Sequence, residues 1–227
     1  MFVLDIGDFF TIDNKKMKLD KLINDFGDGS GVFFTSDTHF GHNGIINCTH
    51  RPFKNAEEMD EALIALWNQT VGENDIVFHL GDFCWSGSQK WVEILNRLNG
   101  VKYLIIGNHD LKRLKGNVLQ YFEDIKFQTV LQLDDWSVWL NHYPFLCYGG
   151  AWNKNRKVAQ AFGHVHYEPL SQGLDVDRLQ YLFPAQYDVG VDNNGYAPIS
   201  WSELKSKFEK FNESDKNMIQ YKPLEFK

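Results

Sequence analysis

Leu104-Ile105-Ile106-Gly107-Asn108-His109-Asp110 is an apolar run that stops at a glycine and then delivers an amide, an imidazole and a carboxylate at consecutive positions. Glycine tolerates backbone that Asn and His would strain to adopt, and its missing Cβ lets a ligand approach closely. The stretch reads as a strand whose carboxyl end is loaded with chemistry. Two earlier stretches share this grammar: Val32-Phe33-Phe34-Thr35-Ser36 runs into Asp37-Thr38-His39, and Ile76-Val77-Phe78-His79-Leu80 runs into Gly81-Asp82. Parallel strands with functional groups at their carboxyl ends are a usual way for an α/β sheet to build a site. Further on, Asn141-His142 closes Val138-Trp139-Leu140, and Gly163-His164-Val165-His166 closes the run from Val158 to Phe162. Five segment ends are expected to converge.

The segments between them supply the crossovers. Asn55-Ala56-Glu57-Glu58 is an Asn cap with Glu at the third helical position, and Met59, Leu63, Leu66 and Trp67 follow at helical period. Ser88 to Leu98 repeats the pattern with Trp91, Ile94, Leu95 and Leu98, and Asn99-Gly100 supplies the stop. The spacing predicts β-α-β-α-β with right-handed crossovers. From Phe127 to Leu140 the runs become shorter and break at Asp134-Asp135, which marks a move to an antiparallel region or a second sheet. Lys157 to Phe162 and Tyr187 to Val191 read as further strands and Glu203 to Phe211 as a helix. Before the first loaded strand, Phe2 to Ile12 reads as a strand or hairpin, Met17 to Phe26 as a short helix and Asp28-Gly29-Ser30-Gly31 as a turn. Tyr167 to Gln186 reads as a loop of a length that is usually functional or partly helical.

Composition sets outer bounds. A chain of 227 residues suits one domain with a sizeable core. With 30 acidic against 23 basic residues, a formal net charge of -7 and no basic block, tight non-specific binding to a long nucleic-acid backbone is disfavoured. One phosphate held at a metal remains compatible with that charge. Asp5 and Asp8 interrupt the amino terminus, and no apolar run approaches the roughly 18 residues that span a bilayer. The expectation is a cytoplasmic protein with no membrane partner. Cys48, Cys84 and Cys147 are widely spaced and odd in number, which points to reduced thiols rather than a disulfide framework.

Of eight histidines, His39, His109, His142, His164 and His166 sit at the loaded ends beside Asp37, Asp82 and Asn108. Imidazole, carboxylate and amide oxygen without thiolate suit Zn, Mn or Fe, and the set is an inventory for two ions. At a strand tip, residues two apart point to the same side. Asp37 and His39 are therefore expected to serve one ion without strain, and His164 and His166 to present both rings to one site. Singly, each block has a bland reading: a satisfied surface pair for Asp-x-His, a turn for Gly-Asn-His-Asp, a packed or capping group for His142. It is five blocks in one order that argue for a site. His79, inside an apolar strand, reads as a hydrogen-bonded core histidine. His42 reads as a contact to substrate phosphate, a donor behind the ligands, or a loop residue, and His50 and Arg51 as anion binders or solvent-facing groups. Phe40, Phe83, Trp85, Tyr143, Phe145, Tyr148 and Trp152 crowd the expected rim, where nucleobase stacking competes with core packing as their role. Lys and Arg are scarce near the motifs, which leaves neutralisation of a phosphate to metals.

Taken in order, Asp37-x-His39, Gly81-Asp82, Gly107-Asn108-His109-Asp110, an isolated His142 and Gly163-His164-x-His166 resemble the calcineurin-like metallophosphoesterases over roughly Phe33 to Asp192. Ser36-Asp37-Thr38-His39-Phe40-Gly41-His42, with Arg51-Pro52-Phe53 and Trp67-Asn68 downstream, resembles the small bacterial and phage branch that has no large cap domain. The resemblance implies an α/β fold, a four-layer α-β-β-α sandwich of two mixed sheets. Residues 1–30 would be an N-terminal extension packed on the domain, 31–211 the metallophosphoesterase domain and 212–227 a C-terminal tail. It implies that Asp37, His39 and His166 hold one metal, that Asn108, His142 and His164 hold a second, and that Asp82 bridges them. His42 and Asn108 are implied substrate contacts. By the same resemblance His109 acts on the leaving-group oxygen or steadies the phosphoryl charge, and Asp110 orients its ring. The implied cofactors are two divalent ions, Mn, Zn or Fe, with Ni a further candidate. The implied activity is hydrolysis of a phosphodiester or phosphomonoester in a small, nucleotide-like substrate by a metal-activated hydroxide. That small phosphoester is the expected partner, with no stable binding of nucleic-acid duplex. Two rival readings stand beside it: a non-catalytic metal-binding scaffold of the same fold, and a nuclease on short single strands.

Overall fold

Alternation along three short apolar runs decides which layer each face of the first sheet meets. Strands β1 (Val32–Thr35), β2 (Ile76–His79) and β3 (Val101–Ile105) lie side by side and parallel, with Val32 opposite Ile76 and Ile76 opposite Val101. Val32, Phe34, Phe78, Tyr103 and Ile105 face one core while Val77 and Leu104 face another, as a period of two requires. The computed structural model describes residues 28–151, 153, 155–166, 182 and 185–214, with side chains of the final helix described to residue 210. The elements expected at 2–12 and 17–26, Trp152, most of the 167–186 loop and the tail beyond 214 lie outside the described residues.

A short helix α1 (Asn43–Cys48) follows the first loaded tip, and α2 (Ala56–Thr70) and α3 (Ser88–Leu95) are the expected crossovers. The Asn55 cap forms, its Oδ1 accepting the Glu58 N–H at 2.8 Å. The Glu58 carboxylate reaches back one residue further than a standard capping box, to the Lys54 N–H at 3.2 Å. Met59, Leu63 and Trp67 of α2 and Trp91, Ile94 and Leu95 of α3 pack on the outer face of the first sheet. Helix α3 ends at Leu95 rather than Leu98. Beyond it the Lys102 ammonium donates to the carbonyls of Leu98 and Gly100, each at 2.7 Å, and holds a turn whose Gly100 has φ +83°.

Two strands in this sheet lie outside the sequence expectations. β4 (Phe122–Lys126) runs parallel to β3, and β9 (Ile199–Ser200) antiparallel to β1, giving the order β4-β3-β2-β1-β9. The second sheet has the order β5-β6-β7-β8. Its β5 (Gln128–Leu133) and β6 (Trp136–Asn141) form an antiparallel hairpin turning at Asp134-Asp135, while β7 (Lys157–Phe162) and β8 (Gln186–Asp188) continue in parallel. The strand expected to reach Val191 stops at Asp188, and Val191–Asn193 form a 3₁₀ turn.

Both sheets are mixed, and their inner faces share one core, where Phe34, Phe78 and Tyr103 meet Leu131, Val138, Leu140 and Ala161. Helix α4 (Trp201–Ser214) completes it with Trp201, Leu204 and Phe208, the last 5.6 Å from Trp136 between ring centroids. Asp134 ties the hairpin turn to this helix by accepting from Trp201 Nε1 at 3.0 Å and pairing with Lys205 at 2.9 Å. This is the expected α/β sandwich of two mixed sheets. Among the described residues no helix is long and apolar enough to cross a membrane.

Candidate metal centre

The loaded tips of both sheets gather at one end of the sandwich, but the donors stand past the strands rather than on them. β1 stops at Thr35, and Asp37 and His39 have φ of +57° and +50°. Asp82, His164 and His166 are also left-handed, at +57°, +71° and +48°. The expectation that residues two apart would share a strand face without strain is thereby corrected. Left-handed backbone costs roughly 1–2 kcal/mol per non-glycine residue, so cross-loop bonds must hold these positions. Asp37 N donates to Gly81 O at 2.9 Å, His39 N to Asp82 O at 3.0 Å and Gly163 N to His142 O at 3.0 Å. Gly107 is needed for close approach and not for a left-handed φ: a Cβ there would collide with the Asp82 carboxylate and amide nitrogen. Gly81 is needed for both, with φ +100° and room for a Cβ only 2.7 Å from His142 Nδ1.

Two donor groups result. One ligand atom each from Asp37, His39 and His166 lie within 4.8 Å of one another, and Asp82, His142 and His164 form a second such set. His164 and His166 thus go to different groups, the division that the family resemblance implies, and the expectation from spacing that both rings face one site is corrected. His166 Nε2 is 3.7 Å from Asp37 Oδ1. Asp82 Oδ2 is 3.5 Å from His142 Nε2 and 3.6 Å from His39 Nε2, so this carboxylate lies between the groups. Asn108 Oδ1 stands 3.0 Å from His142 Nε2. The donors fit cations: Asp37 Oδ1 and His39 Nε2 are buried with no hydrogen-bond partner, a costly state that a bound ion would relieve.

Outer contacts set the tautomers. His142 Nδ1 is 2.7 Å from the Leu80 carbonyl, which can only accept, so Nδ1 carries a proton and Nε2 is the nitrogen that faces the oxygens of Asp82 and Asn108. His166 Nδ1 likewise donates to Asp192 at 2.8 Å, and Nε2 faces the first group, 3.7 Å from Asp37 Oδ1. Burial, then the neighbouring His166, holds the His39 imidazole well below its ordinary pKa. Burial also opposes protonation of His142, but Asp82 and Asp37 outweigh it and raise that ring to about 9. For His166 too, burial is outweighed, by Asp37 and Asp192, and the pKa is raised. Burial works to raise Asp82, yet His142, His39 and the His109 N–H keep it well below the usual carboxylate range. Protons on two rings balance the carboxylates here, and a cation would take their place.

His109 is the accessible imidazole, its side chain 38% exposed and its Nε2 3.8 Å from Asp82 Oδ2, while its backbone N–H is fixed by Asp82 Oδ1 at 2.9 Å. Asp110 does not orient that ring. Fully buried, it accepts the N–H groups of Asp82 and Gly107 at 2.8 Å each and of Phe83 at 3.0 Å, locking the second loaded tip to the third. His42 lies beside the first group, 5.4 Å from His39 between centroids, and stacks on Trp85 at 4.0 Å and 6°. His79 is the expected core histidine. Gly81 N donates to its Nδ1 at 3.2 Å, its Nε2–H donates to Thr38 Oγ1 at 3.0 Å, and the Thr38 hydroxyl donates to Phe83 O at 2.7 Å.

Arg51 is neither solvent-facing nor an anion binder. It is 3% exposed and donates through Nε and Nη2 to the Asp192 carboxylate at 2.7 and 2.9 Å, and to the carbonyls of Asp37 and Thr38 at 2.7 and 3.0 Å. Asp192 is a functional candidate that sequence reasoning did not single out, although Gly190-Val191-Asp192 closes a β-type run as Gly81-Asp82 does. Arg113 is another: it donates to His109 O at 2.7 Å and lies 4.8 Å over the Trp85 ring, so the site is less poor in basic groups than the sequence suggests. Phe40, Phe83 and Tyr148 are buried, and Phe145 packs on Trp139. Trp85 and Tyr143 are the described aromatics exposed at the rim. Tyr143 sits 4.6 Å from His164 between centroids, and its hydroxyl reaches Asn108 Oδ1 at 3.4 Å.

Residues 31–194 match the sequence profile of the calcineurin-like phosphoesterases. The uncharacterized protein MJ1445 of Methanocaldococcus jannaschii is 35% identical over 167 residues, covering 66% of this chain and 91% of that protein. The Gene 66 protein of Mycobacterium phage D29 is 35% identical over 142 residues, covering 52% and 65%. The crystal structure of AQ665 from Aquifex aeolicus, described as a protein of unknown function, superposes with a TM-score of 0.60 at 27% identity, covering 77% of this chain and 97% of that one.

Proposed function

The chain belongs to the calcineurin-like phosphoesterase family, and from that membership together with its two donor groups we propose that it hydrolyses a phosphodiester or phosphomonoester bond in a small, nucleotide-like substrate. The observation that carries the reading is the pair of three-residue donor sets, each within 4.8 Å, with unpartnered buried atoms on Asp37 and His39. Asp37, His39 and His166 would hold one divalent ion, Asn108, His142 and His164 the other, and Asp82 both. Mn, Zn or Fe suit these ligands, with Ni a further candidate. Such ions, when bound, supply Lewis acidity to phosphate oxygens and to water.

The chain's own residues do the rest. His109, whose side chain is 38% exposed beside the buried Asp82, donates a proton from its ring to the leaving-group oxygen. Asp110 holds the backbone that places His109 and Asp82 side by side. Trp85 already has His42 and Arg113 against its ring, so among the rim aromatics Tyr143 is the better placed to meet a planar leaving group. His42 and Asn108 remain the proposed contacts to substrate.

Hydrolysis of a bis-aryl phosphodiester should stop on chelation and return on addition of Mn²⁺ or Zn²⁺. His109→Ala should retain the metal and lose about 10²- to 10⁴-fold in turnover. Activity that survives complete metal removal rejects the reading, and two bound ions with no turnover on a phosphoester panel would favour the scaffold.

A further inference from the structure

We propose that Arg51 and Asp192 form a clasp that positions the first donor group, so that an ion at Asp37, His39 and His166 depends on a charged brace belonging to that group. The inference rests on the reading that the two groups hold metal ions.

The clasp joins segments that share no sequence neighbourhood. Arg51 comes from the segment between α1 and α2, and its guanidinium grips the carbonyls of Asp37 and Thr38 past the end of β1 in the first sheet. The same group binds Asp192, which follows β8 of the second sheet, in a two-pronged ion pair at 2.7 and 2.9 Å. Asp192 Oδ2 then receives His166 Nδ1 at 2.8 Å, and His166 follows β7. One buried cation therefore fixes the backbone beneath Asp37 and, through a carboxylate, the ring of His166. The side chains of Arg51 and Asp192 are 0% and 2% exposed, and such a pair persists only when every donor and lone pair is well met. A carboxylate behind an imidazole fixes its tautomer, aims the other nitrogen and strengthens it as a ligand. The corresponding ring of the second group, His142, meets the neutral Leu80 carbonyl instead. Lysine cannot replace the fork, since a single ammonium has no geometry that serves a carboxylate and two carbonyls at these angles.

Metal-free protein titrated with Mn²⁺ in a calorimeter should resolve two classes of site. Asp192→Asn, nearly isosteric, and Arg51→Lys should each weaken one class by about ten- to hundred-fold and leave the other unchanged. Asp134→Asn, which alters a carboxylate bound to Trp201 and Lys205, should change neither class. Thermal unfolding of each metal-free variant checks that the fold is kept; should Arg51→Lys fail it, Asp192→Asn decides. Equal weakening of both classes, or of neither, overturns the clasp. A wild-type chain that binds no Mn²⁺ overturns the two-metal reading instead.

Discussion

Asp37, His39, Asp82, His164 and His166 all stand in left-handed backbone, and this more than their chemistry explains why the site needs so many hydrogen bonds around it. The donor types were legible in the sequence because imidazole, carboxylate and amide oxygen declare their use. Their conformations were not, because the strands end before the donors begin and period-two logic stops with them. His79 shows the opposite case, a histidine whose apolar setting alone gave its role. Burial pushes its pKa down to about 3, against 6.5 in the unfolded chain. The unfolded state therefore binds the extra proton between these values, so the contribution of His79 is full above about pH 6.5 and is lost as pH falls towards 3. At pH 4.5 the loss should be roughly 3 kcal/mol relative to pH 7. Urea unfolding of wild type and His79→Asn at both values measures it, and equal pH dependence in the two proteins would remove His79 as a source.

Element boundaries were readable where a local chemical signal exists. The Asn55 side chain satisfies an N–H that helix α2 leaves open, and a β-α-β-α-β order follows from two such helices between three apolar runs. Asn55→Ala should lower stability by about 1 kcal/mol with the donor groups undisturbed, as chemical denaturation and Mn²⁺ binding would show together. β4 escaped notice because Phe122-Glu123-Asp124-Ile125-Lys126 carries three charges in five residues, the composition of a sheet edge, which the structure makes it. β9 is two residues long, and only its pairing with Phe33 and Phe34 makes it a strand. Helix α3 stops at Leu95, past which the Arg97 N–H bonds three residues back, to the Ile94 carbonyl, in place of the helical four.

At the scale of the molecule, the site is where two sheets meet, and bound cations would take over from ring protons in balancing its buried carboxylates. A chelator should therefore lower the unfolding midpoint of the metal-loaded protein. The difference is about 2.7 kcal/mol when free ion stood at a hundred times its dissociation constant, and a calorimetric scan that shows no shift would speak against a structural share for the ions. By itself the sequence determined the donor inventory, the order of the loaded strands, the first two crossover helices and the change of pattern that opens the second sheet. Each of those is written within a few neighbouring residues, in side-chain chemistry, periodicity or a cap. The tertiary structure alone decided that Asp110 binds backbone rather than the His109 ring and that Arg51 reaches Asp192 across 141 positions. Such pairings depend on how the sheets dock and the loops turn, and no local propensity records the distance between residues that only the folded core brings together.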